Sequence, residues 1–338
     1  MASKILVTGG AGYIGSHTVV ELIQSGYEVI VVDNLERSEI AILKGVESIT
    51  GKNIAFYQVD CLDQSALAKV FSEHTISSVI HFAAFKSVNE SVEKPLDYYR
   101  NNIESLITLL SVMKKFSVKE IIFSSSCTVY GQPDSIPVDE SAPFKKAESP
   151  YGATKQMCER ILEDVSLKDF RVISLRYFNP IGAHPSALIG ELPIGSPNNL
   201  VPYVTQTAAG VREKLTVFGN DYNTYDGSCV RDFIHVVDLA IAHVKALQYL
   251  NTKKSSGSFE AFNVGTGDGV SVLDLVKKFI DVTGIKLNYS IGPRRSGDVE
   301  KVYADPKKSN SVLGWKAKYS LEKSLLHAWQ WEKKIRNI

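Results

Sequence analysis

The sequence lacks the features that mark membrane, secreted and nucleic-acid-binding proteins. No apolar run approaches the roughly 18 residues that a membrane-spanning helix needs. Lysine and arginine number 38 against 37 aspartates and glutamates, so no overall field favours nucleic acid or an anionic membrane. The four cysteines, Cys61, Cys127, Cys158 and Cys229, form no CxxC pair, which indicates neither a disulfide framework nor a zinc site.

Targeting signals and low-complexity segments are lacking too. No signal peptide precedes the first apolar strand pattern, so we expect a cytoplasmic protein with reduced thiols. There is no internal repeat and no linker rich in serine or glycine. The 338 residues are 44% hydrophobic and 22% charged, which excludes a disordered, collagen-like or coiled-coil chain. This length suggests about two domains.

The first half of the chain alternates apolar strand patterns with helical ones. We predict strands at Ile5–Val7, Glu28–Asp33, Ile54–Val59, Ser78–Phe82, Ile121–Phe123 and Val172–Leu175. We predict helices between them at Ile14–Gln24, Gln64–Glu73, Pro95–Phe116 and Tyr151–Val165. Continuous apolar strands that alternate with helices indicate a parallel sheet covered on both faces. The predicted fold is therefore α/β, with a Rossmann-type doubly wound parallel sheet.

The second half has a different texture, because five prolines fall between positions 180 and 202. Helical patterns return at Val201–Gly210, Leu239–Leu250, Val270–Val282 and Leu321–Lys334. We predict a first domain over residues 1–180 and a smaller, mixed α/β domain over residues 181–338. Ligands of open α/β sheets lie at the carboxyl ends of the strands, and we expect the second domain to close over that edge.

A glycine-rich turn follows the first strand and opens the first helix. It fits GxGxxG as Gly10, Gly12 and Gly15, and GxxGxxG as Gly9, Gly12 and Gly15. Such a turn lets the backbone and the helix N-terminus approach a pyrophosphate. Asp33 ends the second strand, where it would bond a ribose 2′-hydroxyl and repel a 2′-phosphate, so NAD is favoured over NADP. The alternative is a glycine turn that only packs helix on strand.

Tyr151 and Lys155 form a Y-x-x-x-K pair, which a helix places on one face. An ammonium beside a phenol favours the phenolate, so Lys155 is expected to lower the pKa of Tyr151 and make it a general base. Ser126 ends the fifth strand 25 residues earlier and would reach the same edge of the sheet. The alternative is an ordinary surface pair on a helix.

With these motifs the chain resembles the UDP-glucose 4-epimerases of the extended short-chain dehydrogenase/reductase superfamily, over nearly its whole length. The matching stretches are VTGGAGYIGSH (7–17), DNL (33–35), HFAAFKSVNES (81–91), FSSSCTVYG (123–131), SPYGATK (149–155), RYFNPIGAHPS (176–186), FGNDY (218–222), VRDFIHVVDLA (230–240), NVGTG (263–267) and RRSGD (294–298). The resemblance implies an NAD-dependent isomerase of galactose and carbohydrate metabolism.

The resemblance also implies roles for individual residues. The catalytic residues would be Tyr151, Lys155 and Ser126. The residues that would bind NAD are Gly9, Gly12, Tyr13, Ile14, Gly15, Asp33, Asn34, Ser38, Asp60, Cys61, Phe82, Ala83, Ala84, Lys86, Asn101, Ser126, Tyr151, Lys155 and Phe178. The residues that would bind the UDP-sugar are Ser126, Tyr151, Asn179, Asn199, Leu200, Thr216, Val217, Phe218, Arg231, Arg295, Asp298 and Val302. Two arginines suit a diphosphate, because guanidinium groups make bidentate contacts.

The reaction type is decided by the site, since the same fold hosts epimerases, dehydratases, decarboxylases and reductases. Related dehydratases carry acidic residues where this chain has Ser126, Cys127 and Thr128. We therefore expect UDP-glucose and UDP-galactose to interconvert through a 4-keto sugar, with NAD unchanged overall. The alternatives are a 4-epimerase of UDP-uronic acids or UDP-pentoses, and a non-catalytic NAD sensor or scaffold.

Further expectations concern substrate breadth, assembly and the remaining side chains. The family places Val302 beside the C2 substituent, where its small size would admit an N-acetyl group. The alternatives are a one-residue slip that puts Tyr303 there instead, and a Val302 that is only a core residue of a short strand. The family also implies a homodimer through helices near residues 95–116 and 151–166. We expect His81 and His235 to be structural, and Trp329 and Trp331 to serve packing or oligomer contacts. No paired histidine spacing indicates a catalytic metal.

Overall fold

The computed structural model describes residues 3–252, 259–295 and 298–338. The strands are β1 (Lys4–Thr8), β2 (Glu28–Val32), β3 (Ala55–Tyr57), β4 (Ile76–His81), β5 (Glu120–Ser126), β6 (Arg171–Tyr177), β7 (Asn179–Ile181), β8 (Leu215–Phe218), β9 (Val230–Arg231), β10 (Phe233–His235), β11 (Phe259–Val264), β12 (Val270–Ser271), β13 (Tyr289–Gly292) and β14 (Lys301–Val302). The α-helices are α1 (Tyr13–Gln24), α2 (Ala41–Thr50), α3 (Gln64–Glu73), α4 (Val88–Glu93), α5 (Pro95–Tyr99), α6 (Ser105–Lys115), α7 (Pro150–Ser166), α8 (Leu200–Ala208), α9 (Val236–Leu250), α10 (Val272–Thr283), α11 (Lys307–Val312) and α12 (Leu321–Arg336).

The main sheet has seven parallel strands in the order β11-β6-β5-β4-β1-β2-β3. Successive residues of β1 face opposite sides: Ile5 and Val7 enter one apolar core, while Leu6 enters the other. Helices cover both faces, as the contacts of α1 with α9 and of α3 with α6 show. The predicted Rossmann-type parallel sheet is therefore confirmed.

Parts of the predicted layout differ from the structure, and helix α2 was not predicted at all. The sheet has a seventh strand, β11, which the sequence pattern did not reveal because Glu260 and Asn263 interrupt its apolar residues. The predicted helix Pro95–Phe116 is divided into α5, a π-helical segment at Arg100–Glu104 and α6. In that segment Asn102 is buried, and its side chain bonds the backbone of Phe85.

The segment after residue 180 does not form a wholly separate unit from the segment before it. It forms small sheets, β10-β7, β12-β9-β14 and β13-β8, with α8, α10 and α12 around a second core. However, β11 joins the main sheet and α9 packs on α1. The division at residue 180 stays a prediction. None of the helices in the described ranges is long and apolar enough to cross a membrane.

Candidate active site

The glycine-rich turn brings bare backbone to the N-terminus of α1. Gly9 adopts a φ of +69°, and a Cβ there would lie 2.8 Å from the backbone nitrogen of Ala83. A Cβ on Gly15 would lie 2.2 Å from the carbonyl oxygen of Gly9, so neither position tolerates a side chain. Gly12 caps α1 without a side-chain hydrogen bond. The first-turn N–H groups are thus available to an anion, which suits a pyrophosphate.

Asp33 is fixed where β2 ends. Its Oδ2 accepts a hydrogen bond from the Ala11 nitrogen at 3.0 Å, and its Oδ1 accepts from the Leu35 nitrogen at 2.9 Å and from Ser38 Oγ at 2.8 Å. A carboxylate offers about four acceptor sites. Asp33 therefore joins the glycine turn to the loop after β2 and keeps capacity for one ribose hydroxyl.

The structure gathers the other predicted cofactor residues around the same edge. Asn34 Nδ2 donates to Asp60 Oδ2 at 3.1 Å. Cys61 is buried, and burial raises the pKa of its thiol to about 12, so it lines the site as a neutral group. Phe82, which follows β4, packs its ring 4.8 Å from that of His243.

Lys86 and Asn101 are both engaged with protein groups. Lys86 Nζ donates to Glu191 Oε1 at 3.0 Å and lies 5.8 Å from the centroid of the Tyr13 ring. Asn101 Nδ2 donates to its neighbour Asn102 at 3.0 Å. Lys86 thus stands beside the first residue of α1, as expected for a group at the mouth of the cofactor cleft.

The three predicted catalytic residues meet where β5 ends and α7 begins. Ser149 caps α7, since its Oγ accepts from the Gly152 nitrogen at 3.2 Å. Lys155 Nζ donates to the Ser124 carbonyl at 2.6 Å and lies 5.9 Å from the centroid of the Tyr151 ring. Ser126 is close enough to Tyr151 to lower the pKa of its phenol in part. The structure thus brings the three residues together, and their catalytic role stays a prediction.

The electrostatics of this site differ from the sequence-based expectation. Burial raises the pKa of Tyr151 to about 12, and the interaction with Ser126 lowers it only in part. Burial also lowers the pKa of Lys155 to about 8. Burial disfavours both charged forms, and the Lys155 ammonium donates its hydrogen bond to the Ser124 carbonyl. The prediction that Lys155 holds the pKa of Tyr151 below its usual range is therefore wrong for this structure.

A buried ion pair supports the catalytic helix from behind. Glu159 lies one turn after Lys155 on α7 and is 2% exposed. Arg176 of β6 donates three hydrogen bonds to its carboxylate, the shortest at 2.8 Å. Ser125 of β5 donates to the same carboxylate. These bonds tie α7 to both strands beside the catalytic residues.

Two buried polar atoms near this edge have no hydrogen-bond partner within the described residues. They are Thr128 Oγ1, two residues beyond Ser126, and Asn179 Oδ1, at the start of β7. Buried polar groups in native proteins are nearly always paired. Such atoms are candidates for ligand contacts, and Thr128 was not among the predicted site residues.

The two predicted arginines converge on one carboxylate. Arg295 Nη2 lies 2.7 Å and Arg231 Nη2 lies 3.6 Å from Asp298 Oδ1. The Arg295 guanidinium is 5.7 Å from the centroid of the Phe218 ring. Residues Ser296 and Gly297 of the same motif lie outside the described ranges. This cluster offers the charge that a diphosphate needs, beside an aromatic face.

The remaining predicted substrate residues differ in how accessible their side chains are. Asn199 precedes Leu200 at the start of α8 and donates its Nδ2 to Glu191 Oε1 at 2.6 Å. In β8, Thr216 is half-buried, whereas Val217 is 1% exposed within the second core and offers only its backbone. The structure does not bring the Val217 side chain to the site.

Val302 lies in β14 opposite Arg231 and is buried in an apolar cluster with Val129 and Phe178. Tyr303 faces elsewhere, since a Cβ on Gly269 would lie 2.8 Å from its ring. Adjacent residues of a strand face opposite ways. Val302 is thus a core residue of a short strand, and its place beside the sugar stays a prediction.

Several side chains that the sequence suggested were structural are packed. His81 is buried and bonds Thr8 Oγ1 at 2.7 Å, and burial lowers its pKa to about 3. His235 is buried and stacks on Tyr319. Trp329 packs edge-on against Phe279, and Trp331 donates to the Glu191 carbonyl. The sequence did not single out Glu191, because its contacts with Lys86 join residues 105 positions apart.

Comparison with known proteins relates the whole chain to one group of enzymes. A family model described as GDP-mannose 4,6 dehydratase matches residues 6–327. The UDP-glucose 4-epimerase of Bacillus subtilis (strain 168) is 53% identical over 330 residues, which cover 97% of this chain and 96% of that protein.

Solved structures give the same relationship. A UDP-glucose 4-epimerase from Bifidobacterium longum, in complex with NAD+ and UDP, superposes with a TM-score of 0.96 at 46% identity and covers 99% of both chains. The UDP-Glc/GlcNAc 4-epimerase from Campylobacter jejuni superposes with a TM-score of 0.84 at 36% identity, covering 98% of this chain and 100% of that one.

Proposed function

We infer the activity from the family and the site: the chain belongs to the UDP-glucose 4-epimerases of the extended short-chain dehydrogenase/reductase superfamily, and it interconverts UDP-glucose and UDP-galactose with NAD as its cofactor. The observation that carries this conclusion is the convergence of Ser126, Tyr151 and Lys155 at the edge that also presents the glycine turn.

The residues present fit a bound NAD. Gly12 caps α1 without a side-chain hydrogen bond, which leaves the first-turn N–H groups to a pyrophosphate, and Asp33 has capacity for a ribose hydroxyl. Lys86 stands at the same mouth beside Tyr13. When bound, NAD would accept the hydride from C4 and return it, and its oxidised form would bring positive charge into the site.

The chain's own groups handle the proton and the orientation of the sugar. Tyr151 takes the proton of the C4 hydroxyl and later returns one to the same oxygen, with Ser126 bonding alongside. Arg231 and Arg295 hold the diphosphate. Because the anchor lies on the nucleotide, the 4-keto sugar is free to present its other face before it is reduced.

A dehydratase would need a carboxyl group to move protons at C5 and C6. The turn after β5 offers Ser126, Cys127 and Thr128 instead. On α7 the nearby Glu159 is buried and occupied by Arg176, so it is not a free acid. This absence of a carboxyl group at the turn favours simple epimerisation within the family.

The test is a turnover assay on purified protein. We expect the protein to retain NAD through purification and to convert UDP-galactose to UDP-glucose without any added oxidant. Consumption of UDP-galactose that required stoichiometric NAD+, released NADH and gave an oxidised sugar product would contradict an epimerase and indicate a dehydrogenase.

A second activity, on UDP-N-acetylglucosamine and UDP-N-acetylgalactosamine, is favoured by the size of Val302. Its side chain packs with Phe178 beside the site, and the related Campylobacter jejuni enzyme is named for both sugars. Val302→Tyr should reduce turnover of the N-acetylated pair far more than that of UDP-galactose, because only the acetamido group needs the extra volume. Val302→Ala is the control and should keep both activities. Wild-type protein inactive on the N-acetylated pair would end this proposal.

We also propose a homodimer and a cytoplasmic location. Apolar side chains lie exposed on neighbouring helices: Leu96 of α5 is 80% exposed, Ile107 of α6 47% and Met157 of α7 46%. Exposed apolar faces of this kind are typical of subunit interfaces. The cytoplasmic location is supported by the four free thiols.

A further inference from the structure

Glu191 links two groups that the proposed function assigns to different ligands. Its Oε1 accepts a hydrogen bond from Lys86 Nζ at 3.0 Å and another from Asn199 Nδ2 at 2.6 Å. Lys86 stands on the cofactor side, near the Tyr13 ring, whereas Asn199 opens α8 on the nucleotide-sugar side. A single carboxylate oxygen therefore holds one group from each side of the cleft.

Trp331 holds the backbone of Glu191 in place. Its indole Nε1 donates a hydrogen bond to the backbone carbonyl of Glu191 at 2.9 Å. A Cβ on the preceding Gly190 would lie 2.5 Å from the same indole ring, so the backbone lies directly against Trp331. Glu191 thus projects from a segment that is held in place, with its side chain 11% exposed.

Stability alone does not explain this arrangement. The Lys86 side chain is 57% exposed, and ion pairs with such partners contribute little to folding. Asn199 does not use its side chain to cap its own helix. Because Glu191 takes one N–H of that amide, the Asn199 Oδ1 and the second N–H are held in one orientation for a ligand.

We propose that Glu191 is a positioning residue that orients Lys86 for the cofactor and Asn199 for the uridine diphosphate. This role rests on the proposed function. The shared oxygen couples the two binding events. A ligand that binds Lys86 changes the Glu191 bond to Asn199, and a ligand that binds Asn199 changes the bond to Lys86.

The experiment compares Glu191→Ala and Glu191→Gln with Glu213→Gln, an exposed control in the same half of the chain. In purified holoenzyme, Glu191→Ala should raise the Kd of UDP and the KM for UDP-galactose about three- to tenfold, the usual effect of one hydrogen bond. It should accelerate NAD release by a similar factor, with kcat of the NAD-loaded enzyme within about twofold of wild type.

The glutamine variant separates positioning from packing. Its amide oxygen still accepts the Asn199 bond, so the Kd of UDP should return close to wild type. Its lost charge weakens the hold on Lys86, so NAD release should stay fast. A residue that only filled space would move UDP affinity, NAD release and Tm together in both variants, and that result would overturn the proposal.

A variant series keeps the proposal testable if Glu191→Ala does not fold. In a Lys86→Met background, Glu191→Gln should no longer change NAD release, whereas an independent, additive effect would contradict the role. Unchanged UDP affinity and NAD release in every Glu191 variant would also contradict it. Both measurements proceed without turnover, so wild-type protein that failed to epimerise UDP-galactose would refute the proposed function separately.

Discussion

At the scale of single residues, the proposed catalysis depends on the buried phenol of Tyr151. Burial raises the pKa of Tyr151 to about 12, so the protein alone leaves it protonated at neutral pH. Tyr151→Phe should keep the fold and NAD retention and reduce kcat by about 10²–10⁴-fold, as the loss of a general base does. The measurement is kcat per NAD-loaded site. A kcat like that of wild type would remove Tyr151 from the mechanism.

Lys155 places a positive charge beside the phenol, although burial keeps the pKa of Tyr151 above its usual value. The pKa of Lys155 is lowered to about 8 by burial, so it is charged below that pH and lends positive charge to the site there. Removing the charge in Lys155→Ala makes the phenolate harder to form, and the acidic limb of the kcat/KM–pH profile should move to higher pH. The control is Arg160→Ala, an exposed position on the same helix. An unmoved limb would mean that Lys155 does not act on Tyr151.

Asp33 is predicted to discriminate between NAD and NADP. Asp33→Asn removes the charge and leaves one oxygen, which can accept either from the Ala11 nitrogen or from the Leu35 nitrogen and Ser38. NAD should bind more weakly by about 1.5–3 kcal/mol, the worth of a hydrogen bond to a charged group, and the preference over NADP should shrink. Titration of apoprotein with both cofactors measures the two affinities, with Glu39→Gln, an exposed position six residues on, as control. Equal affinity for NAD and NADP in wild type would contradict the role.

Local patterns in the sequence predicted which side chains lie together, whereas the roles of those side chains stay predictions. Asp33 follows an apolar strand after a glycine turn, and Tyr151 and Lys155 share one helical turn, so their meeting place could be deduced. Glu191 could not be found in this way, because its partner Lys86 is 105 positions distant and no local pattern marks either contact. The pKa of Tyr151 was also misjudged, since burial and the Ser124 carbonyl bond are properties of the folded chain.

At the scale of elements, α7 depends on the Glu159–Arg176 pair. Both side chains are nearly inaccessible, at 3% and 6% exposure. Glu159→Gln leaves Arg176 charged and buried without its partner and should lower the free energy of unfolding by about 3–5 kcal/mol. Urea denaturation measures this loss, and Glu163→Gln, exposed on the same helix, should change it little.

The ion pair has a second, sharper test. Replacing both partners, as Glu159→Leu with Arg176→Met, should recover part of the lost stability, because no uncompensated charge remains. A double variant less stable than Glu159→Gln would show that the network, rather than the unpaired charge, sets the cost.

The elements also show where sequence patterns stop being informative. The regular apolar strands β1, β2, β4, β5 and β6 were predicted because burial on both faces leaves continuous apolar runs. β11 has polar residues within it and joins the sheet only through pairing with β6. The π-helical segment at Arg100–Glu104 follows from the bonds of Asn102 with Phe85, which are tertiary and invisible to helical periodicity.

At the scale of the whole molecule, the exposed apolar residues of α5, α6 and α7 predict a dimer. Ile107→Glu places a charge within that face and should give a monomer in sedimentation velocity, while wild type sediments with twice the mass of one chain. Ile194→Glu, also at an exposed apolar residue, is the control and should remain dimeric. Wild-type protein that sediments as a monomer would refute the dimer.

The whole fold serves one chemical act, the removal and return of hydrogen at C4 without release to water. Its most direct test uses UDP-galactose labelled with deuterium at C4, incubated with the NAD-loaded protein in ordinary water. We predict UDP-glucose that keeps its deuterium at C4, with no solvent hydrogen at C5 or C6, as read by NMR and mass spectrometry. Loss of the label to water, or solvent hydrogen at C5, would contradict epimerisation by oxidation and reduction at a single carbon.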